Sequence, residues 1–313
     1  MIYAWIGLVL GLMALVKSAD VLLKGAVTVG RYHGWSELLI GVILIGIGTS
    51  LPEIMVSGFS ALDGKPGLAL GNAYGSNIAN IALVMGFSLI FGRIHIPPMI
   101  WKRSLLYLLI ATLITLIYLT GGLLDRLYGI LAIGAFIVMM VILIQTQIAQ
   151  PSSENQPDHP TLHYGLAWGY IIIGFIILIV SAKCLVWAAT TIAHGFNISD
   201  EIIGLTVIAI GTSLPELATS ITASRQGQTQ LILGNVVGSN LLNTLVVVGL
   251  AASIHPITVA WHVILRDYLF MSTLTGYVWL RALVMRPAYF TRIEGLLLVS
   301  AYIGYLIVIG QNL

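Results

Sequence analysis

Charge is what this chain most lacks. Its 313 residues include 14 Lys and Arg and 12 Asp and Glu, 8% charged in all, where soluble domains carry about a quarter. That excludes an ordinary soluble domain, and a net charge of +2 leaves no electrostatic footprint for a nucleic-acid partner. Cysteine is nearly absent too. Cys184 stands alone within an apolar run, which rules out a disulfide framework and reads as a small core residue. The HExxH, GxSxG and Walker A patterns are missing, and no His lies near the hydroxyl-rich motifs described below, so an intramembrane enzyme has no support. The opening MIYAWIGLVL lacks the basic stretch and cleavage site of a signal peptide and reads as a first membrane span.

In place of charge the chain has apolar length, with 58% hydrophobic residues and a mean hydropathy of +0.99. Runs of ~20 apolar residues, enough to cross a hydrocarbon core, fall near 2–30, 36–60, 66–91, 104–121, 127–147, 164–194, 201–224, 229–254, 265–281 and 288–311. The expected fold class is therefore an all-α polytopic membrane protein with ten transmembrane helices. The loops on one side hold Arg31, Arg93, Lys102, Arg103, Arg225, Arg281, Arg286 and Arg292; the other side holds Lys65, Arg126 and Arg266. The positive-inside rule then puts both termini outside, in a plasma (inner) membrane, and the Pro-, Ser- and Asn-rich linker at 148–163 in the cytoplasm.

The sequence is written twice. GTSLPE at 48–53 returns at 211–216, and GNAYGSN at 71–77 returns as GNVVGSN at 234–240, both 163 residues on. The same register pairs Ser18-Ala19 with Ser181-Ala182, Ser36 with Ser199, Glu37 with Asp200, Gly41 with Gly204, Ser57 with Ser220, Asn80 with Asn243 and Arg103 with Arg266. The expected domains are a first repeat at 1–147 and a second at 164–313, each of five spans. An odd number of spans reverses the second copy in the membrane, giving two inverted five-helix repeats. Inverted repeats with matching Gly/Pro-broken helices mark secondary transporters, whose site lies near the midplane.

The motif residues suit a hard cation. Pro52 and Pro215 are expected to kink or open their spans at the carbonyls of Gly48 and Gly211, and freed carbonyls in hydrocarbon need a partner such as an ion. Helical spacing aligns Thr49, Glu53 and Ser57, with Ser50 beside them; Asn72, Ser76 and Asn80 form a second stripe. The second copy supplies Thr212, Glu216, Ser220, Asn235, Ser239 and Asn243. Two carboxylates amid hydroxyl, amide and carbonyl oxygens fit Ca²⁺, not zinc or copper. Ser and Asn also serve as plain interhelical glue, but a mid-span carboxylate is costly and by default functional. Lys17, Asp20 and Lys24, spaced along one helix, are expected to neutralise one another or snorkel.

With GTSLPE and GNxxGSN each present twice, the chain resembles the calcium/cation antiporter superfamily, and most closely its prokaryotic sodium/calcium exchangers. The resemblance covers both repeats and implies ten helices in two inverted halves that exchange Na⁺ for Ca²⁺ by alternating access. Its cation ligands would fall on Thr49, Ser50, Glu53, Ser76 and Asn80 and on Thr212, Ser213, Glu216, Ser239 and Asn243, with backbone carbonyls from Gly46 and Ala209. Asn occupies both 80 and 243, where some members carry an acid in the second repeat. A large cytoplasmic regulatory domain is missing, so Ca²⁺ regulation of that kind is not expected. The implied partners are Ca²⁺, Na⁺ and the lipid bilayer, with no cofactor and no obligatory protein partner. Two alternatives stay open: H⁺/Ca²⁺ exchange, in which the carboxyls themselves carry protons, and a cation channel, which calls for a continuous polar pore.

Overall fold

The computed structural model describes residues 1–95, 103–148, 162–196, 209–284 and 289–311. Among these, helix dominates: α1 (Ile2–Tyr32), α2 (Glu37–Thr49), α3 (Leu51–Leu62), α4 (Pro66–Phe91), α5 (Leu105–Thr120), α6 (Arg126–Ile148), α7 (Tyr164–Gly195), α8 (Ala209–Thr212), α9 (Leu214–Arg225), α10 (Thr229–Ile254), α11 (Leu269–Val284) and α12 (Arg292–Gln311). Six of them are long and apolar enough to cross a membrane, or seven when the bent pair α2–α3 counts as one span; α5 is a shorter apolar helix. The expected span at 201–224 falls partly outside the described residues, as do most of the 148–163 linker and the offset partners Ser199, Asp200 and Gly204.

The two longest helices, α1 and α7, have 31 and 32 residues, about 47 Å at 1.5 Å per residue. They exceed a hydrocarbon thickness of ~30 Å, which a helix accommodates by tilting. They pack along each other through small residues: a Cβ on Gly25 would meet the Ala167 carbonyl at 2.7 Å, and one on Gly174 would meet the Leu22 nitrogen at 2.8 Å. With lipid outside, close backbone approach of this kind supplies the attraction that a hydrophobic effect cannot. Cys184 sits half-buried in this interface, its Sγ 3.6 Å from the Gly7 carbonyl.

α4 and α10, which carry the two GNxxGSN motifs, form the centre. Burial covers 78% and 94% of their apolar windows, against 33% for α1. α10 lies against the segment Gly41–Gly46 of α2 at backbone distance: a Cβ on Gly234 would stand 2.4 Å from the Leu38 carbonyl and 2.8 Å from Gly41 Cα.

The structure is mostly helical, in line with the expected all-α class, with one addition the sequence did not suggest. Two antiparallel ribbons of two residues each join the halves: β1 (Ile94–His95) pairs with β4 (Tyr289–Phe290), and β2 (Leu123–Leu124) pairs with β3 (Ile257–Thr258). Ile94 and Ile257 stand 163 residues apart, so each repeat offers the equivalent strand to the other. Segments this short satisfy backbone groups at helix ends without any readable alternation.

Of the two arrangements expected for the charge trio, the structure fits exposed lysines and not mutual pairing. Asp20 accepts a 3.2 Å hydrogen bond from Gln226 at the end of α9, while Lys17 and Lys24 are exposed. Among the described residues no ion pair links the three.

Candidate cation site

Both GTSLPE motifs fold as a helix break. α2 ends at Thr49, Ser50 takes φ −85° and ψ 7°, and α3 starts at Leu51 with its axis turned by 42°. Ser213 does the same at φ −90° and ψ 6° between α8 and α9. Pro52 and Pro215 are second residues of the new helices, where a missing N–H is harmless. They begin the second helix after each break, so the spans are opened at the motif and not merely bent. Glu53 and Glu216 thus occupy first turns, at the positive end of each helix dipole. Three π-helical turns flank the breaks, at Gly41–Gly46, Ala79–Met85 and Asn243–Val247. Such turns collect at functional sites, and the last two carry Asn80 and Asn243.

Cross-half hydrogen bonds draw the site together. The Ser50 hydroxyl donates to Glu216 Oε1 at 3.1 Å, Thr49 Oγ1 shares its one proton between the Ile45 carbonyl at 3.0 Å and Asn235 Oδ1 at 3.3 Å, and Ser239 Oγ donates to the Gly46 carbonyl at 3.1 Å. Each half also braces its own carboxylate helix in the same way. Asn72 Nδ2 donates to the Glu53 carbonyl at 3.3 Å and to Ser57 Oγ at 3.0 Å; Asn235 Nδ2 donates to the Glu216 carbonyl at 3.3 Å and to Ser220 Oγ at 2.8 Å. Asn72 and Asn235 are therefore struts, a role that sequence spacing alone did not separate from that of ligand.

The polar atoms left over define what the site can hold. Glu53 and Glu216 are fully buried. Both oxygens of Glu53, Oε2 of Glu216, Ser76 Oγ, Ser213 Oγ, Asn80 Oδ1 and the whole Asn243 amide lack a hydrogen-bond partner. Among the described residues no Lys or Arg forms an ion pair with either Glu. Burying an isolated carboxylate is prohibitive unless a counter-charge or proton accompanies it. Ser76 lies beside Glu53. The turn bearing Asn80 packs on α9, and the turn bearing Asn243 packs on α3 and α4. No group of three or more His, Cys, Asp or Glu occurs among the described residues. Two carboxylates plus neutral oxygens form a hard-cation set.

Of the expected site residues, Ser50 and Glu216 and likewise Gly46 and Ser239 are joined by hydrogen bonds across the halves, Ser213 takes the N-cap position of the Glu216 helix, and Asn80 and Asn243 lie on turns packed against the two Glu-bearing helices. Thr212 and Ala209 differ. Thr212 is half-buried and lines an apolar cavity of about 310 Å³ with Pro52, Val56, Ala182, Val186, Trp187 and Pro215. Ala209 opens α8, which packs on α4. The copy of the Ser239–Gly46 bond would run from Ser76 to Ala209, and Ser76 makes none. Sequence reasoning assigned no role to Asn77 and Asn240, which end the two motifs. Asn80 Nδ2 donates to Asn240 Oδ1 at 3.0 Å, and Asn77 Nδ2 donates to Thr244 Oγ1 at 2.8 Å. Their recurrence 163 residues apart was the available signal.

A family model for sodium/calcium exchanger proteins matches residues 3–145 and again residues 166–310. The chain belongs to the sodium/calcium exchanger family. It is a membrane protein, and the ions its family exchanges are cargo, not resident cofactors. It is 36% identical to the putative antiporter CaxA of Alkalimonas amylolytica, over 97% of this chain and 98% of that one. Identity to the inner membrane protein YrbG of Escherichia coli K12 is 35%, over 83% of each. The sodium/calcium exchanger MaX1 of Methanosarcina acetivorans is 28% identical, over 96% of this chain and 97% of that one. A solved structure of the sodium-calcium exchanger NCX_Mj, soaked with 10 mM Na⁺ and 10 mM Sr²⁺, superposes with a TM-score of 0.84 at 29% identity, covering 96% of this chain and 97% of that chain. The resemblance carried by the doubled motifs is borne out over both repeats.

Proposed function

We propose that this chain is a secondary antiporter that exchanges Na⁺ for Ca²⁺ by alternating access, exporting Ca²⁺ as Na⁺ enters. One observation carries the reading: two fully buried carboxylates, from equivalent positions of the two repeats, keep three of their four oxygens free of hydrogen bonds among further unpartnered oxygens. Two negative charges balance one Ca²⁺. They balance two Na⁺ equally well, so the ions compete for overlapping positions, as antiport through one site requires.

In this reading Thr49, Ser50, Glu53, Ser76, Asn80, Thr212, Ser213, Glu216, Ser239 and Asn243 supply side-chain oxygens, and Gly46 and Ala209 supply carbonyls. Repeats at 1–147 and 164–313, joined by a cytoplasmic linker at 148–163, form ten spans in two inverted sets of five. Both termini face outward. Support for the inversion comes from the single 163-residue register and from ribbons in which each half lends an equivalent strand to the other. Access alternates as the halves rock about the fixed midplane site.

Flux into sealed vesicles tests the proposal. Uptake of ⁴⁵Ca²⁺ should follow an outward Na⁺ gradient, and Glu53→Gln and Glu216→Gln should each abolish it at low Ca²⁺. The lost Coulomb term is roughly 4 kcal/mol at an effective dielectric of ~20, about a thousandfold in affinity. Uptake that follows a pH gradient and ignores Na⁺ would assign H⁺ as the counter-ion, and near-normal uptake in either Gln variant sinks the shared site.

A further inference from the structure

We propose that Asn240 is a positioning residue that decides which end of the Asn80 amide faces the cation. The inference rests on the exchanger reading above, in which Asn80 lends its side-chain oxygen to the ion. An Asn amide has two ends of similar size and opposite polarity, and only the oxygen can face a cation. Some neighbour has to choose between them.

The choice starts at a group that cannot be turned round. Asn240 Nδ2 donates to the backbone carbonyl of Asn77 at 3.3 Å. A carbonyl only accepts, so Asn240 turns its nitrogen there and its Oδ1 the other way. That oxygen accepts as well, so Asn80 meets it with Nδ2, at 3.0 Å. Asn80 Oδ1 is then directed away from Asn240, buried and without a partner, from a turn packed on the helix of Glu216. The sequence carbonyl, amide, amide thus fixes the orientation by donor and acceptor chemistry.

The mirror relay is open. Its equivalent would have Asn77 donate to the Asn240 carbonyl and accept from Asn243. Asn77 Nδ2 instead donates to Thr244 Oγ1 at 2.8 Å and to Met271 Sδ at 3.3 Å, and Asn77 Oδ1 and both ends of the Asn243 amide have no partner. The residue equivalent to Thr244 in the first repeat is Ile81, which has no hydroxyl to divert Asn240. One side of the site therefore carries a locked oxygen at Asn80, and the other an amide at Asn243 that can turn to suit its ion.

Calcium titration calorimetry on the purified full-length protein tests the relay in two backgrounds. Asn240→Ala should weaken Ca²⁺ binding about tenfold, the scale of one misdirected polar group. Asp at position 80 has oxygen at both ends and nothing to orient. In the Asn80→Asp background the same change should therefore cost less than about twofold, or tighten binding by removing an opposed oxygen. Equal losses in both backgrounds mean general packing and overturn the proposal, as does unchanged affinity in Asn240→Ala alone. Thr244→Val provides a variant that gains function: freeing Asn77 to orient Asn243 should tighten Ca²⁺ about threefold, and no change rejects the open mirror relay. A readout without ions separates the relay from the exchanger reading. In ¹⁵N-Asn-labelled protein the Asn80 side-chain amide protons should exchange slowly and lose protection in Asn240→Ala; equal exchange rates reject the relay. Failure of Glu53→Gln to weaken Ca²⁺ binding rejects the exchanger reading instead.

Discussion

The hydroxyl of Ser50 donates a 3.1 Å hydrogen bond to Oε1 of Glu216, so a residue of the first repeat holds the carboxylate of the second. Ser50→Ala removes that donor and one neutral oxygen, a change of about 1 kcal/mol. The KM for Ca²⁺ in Na⁺-driven uptake should rise about fivefold, with the thermal midpoint nearly unchanged. An unaltered KM would detach this bond from the transport site.

Asn243 is buried with both ends of its amide unpartnered. Asn243→Asp should add a third negative charge to the cluster without adding bulk. Ca²⁺ affinity should rise at least tenfold by titration calorimetry, because an added charge at a few Å is worth several times a neutral oxygen even at an effective dielectric of ~20. Identical affinities in variant and parent would mean that position 243 does not face the ion.

The glycine contact between α2 and α10 sets a packing limit. A Cβ on Gly238 would lie 2.8 Å from both Cα and the carbonyl oxygen of Val42, so Gly238→Ala forces the two backbones apart at a cost of about 1–3 kcal/mol. Gly134, within α6, has nothing within 4 Å of such a Cβ among the described residues, and Gly134→Ala should gain up to about 1 kcal/mol of helix propensity. Thermal unfolding in detergent should shift down for the first variant and hold or rise for the second. A tolerated Gly238→Ala would show that α10 can move off α2 cheaply.

The proposed orientation rests on eight basic residues set against three. In a Cys184→Ser background, single cysteines at 150–160 should react with impermeant maleimide only from the cytoplasm, and a reporter fused after Leu313 should score as exterior. Labelling of intact cells at the linker would reverse the topology while leaving the exchange proposal standing.

Much of the site was legible because duplication marks it. A Glu in an apolar run is expensive, and the same Glu 163 residues later is hard to read as accident. What spacing could not give was the division of labour among similar residues. Asn72, Asn77 and Asn80 lie within nine positions of one another, yet one is a strut, one crosses to Thr244 and one donates to Asn240 while its own oxygen stays unpartnered. Only partners distant in sequence distinguish them. The break at Ser50 fits the expectation that the span is kinked or opened at the motif, but a Pro does not by itself say whether a helix bends or restarts; here it restarts at Leu51. Gln226 as the partner of Asp20, 206 residues away, and two-residue ribbons are likewise products of tertiary contact that leave no periodic trace.

Gene duplication ordinarily creates a spare, since one copy can decay while the other carries on. The bonds from Thr49 to Asn235, from Ser50 to Glu216 and from Ser239 to Gly46 deny that freedom here. Each copy holds part of the other's candidate site, so a lesion in either is a lesion in both. The repeat that looks redundant on paper has no backup in the membrane, and a change of ion preference would have to be written into the two copies together.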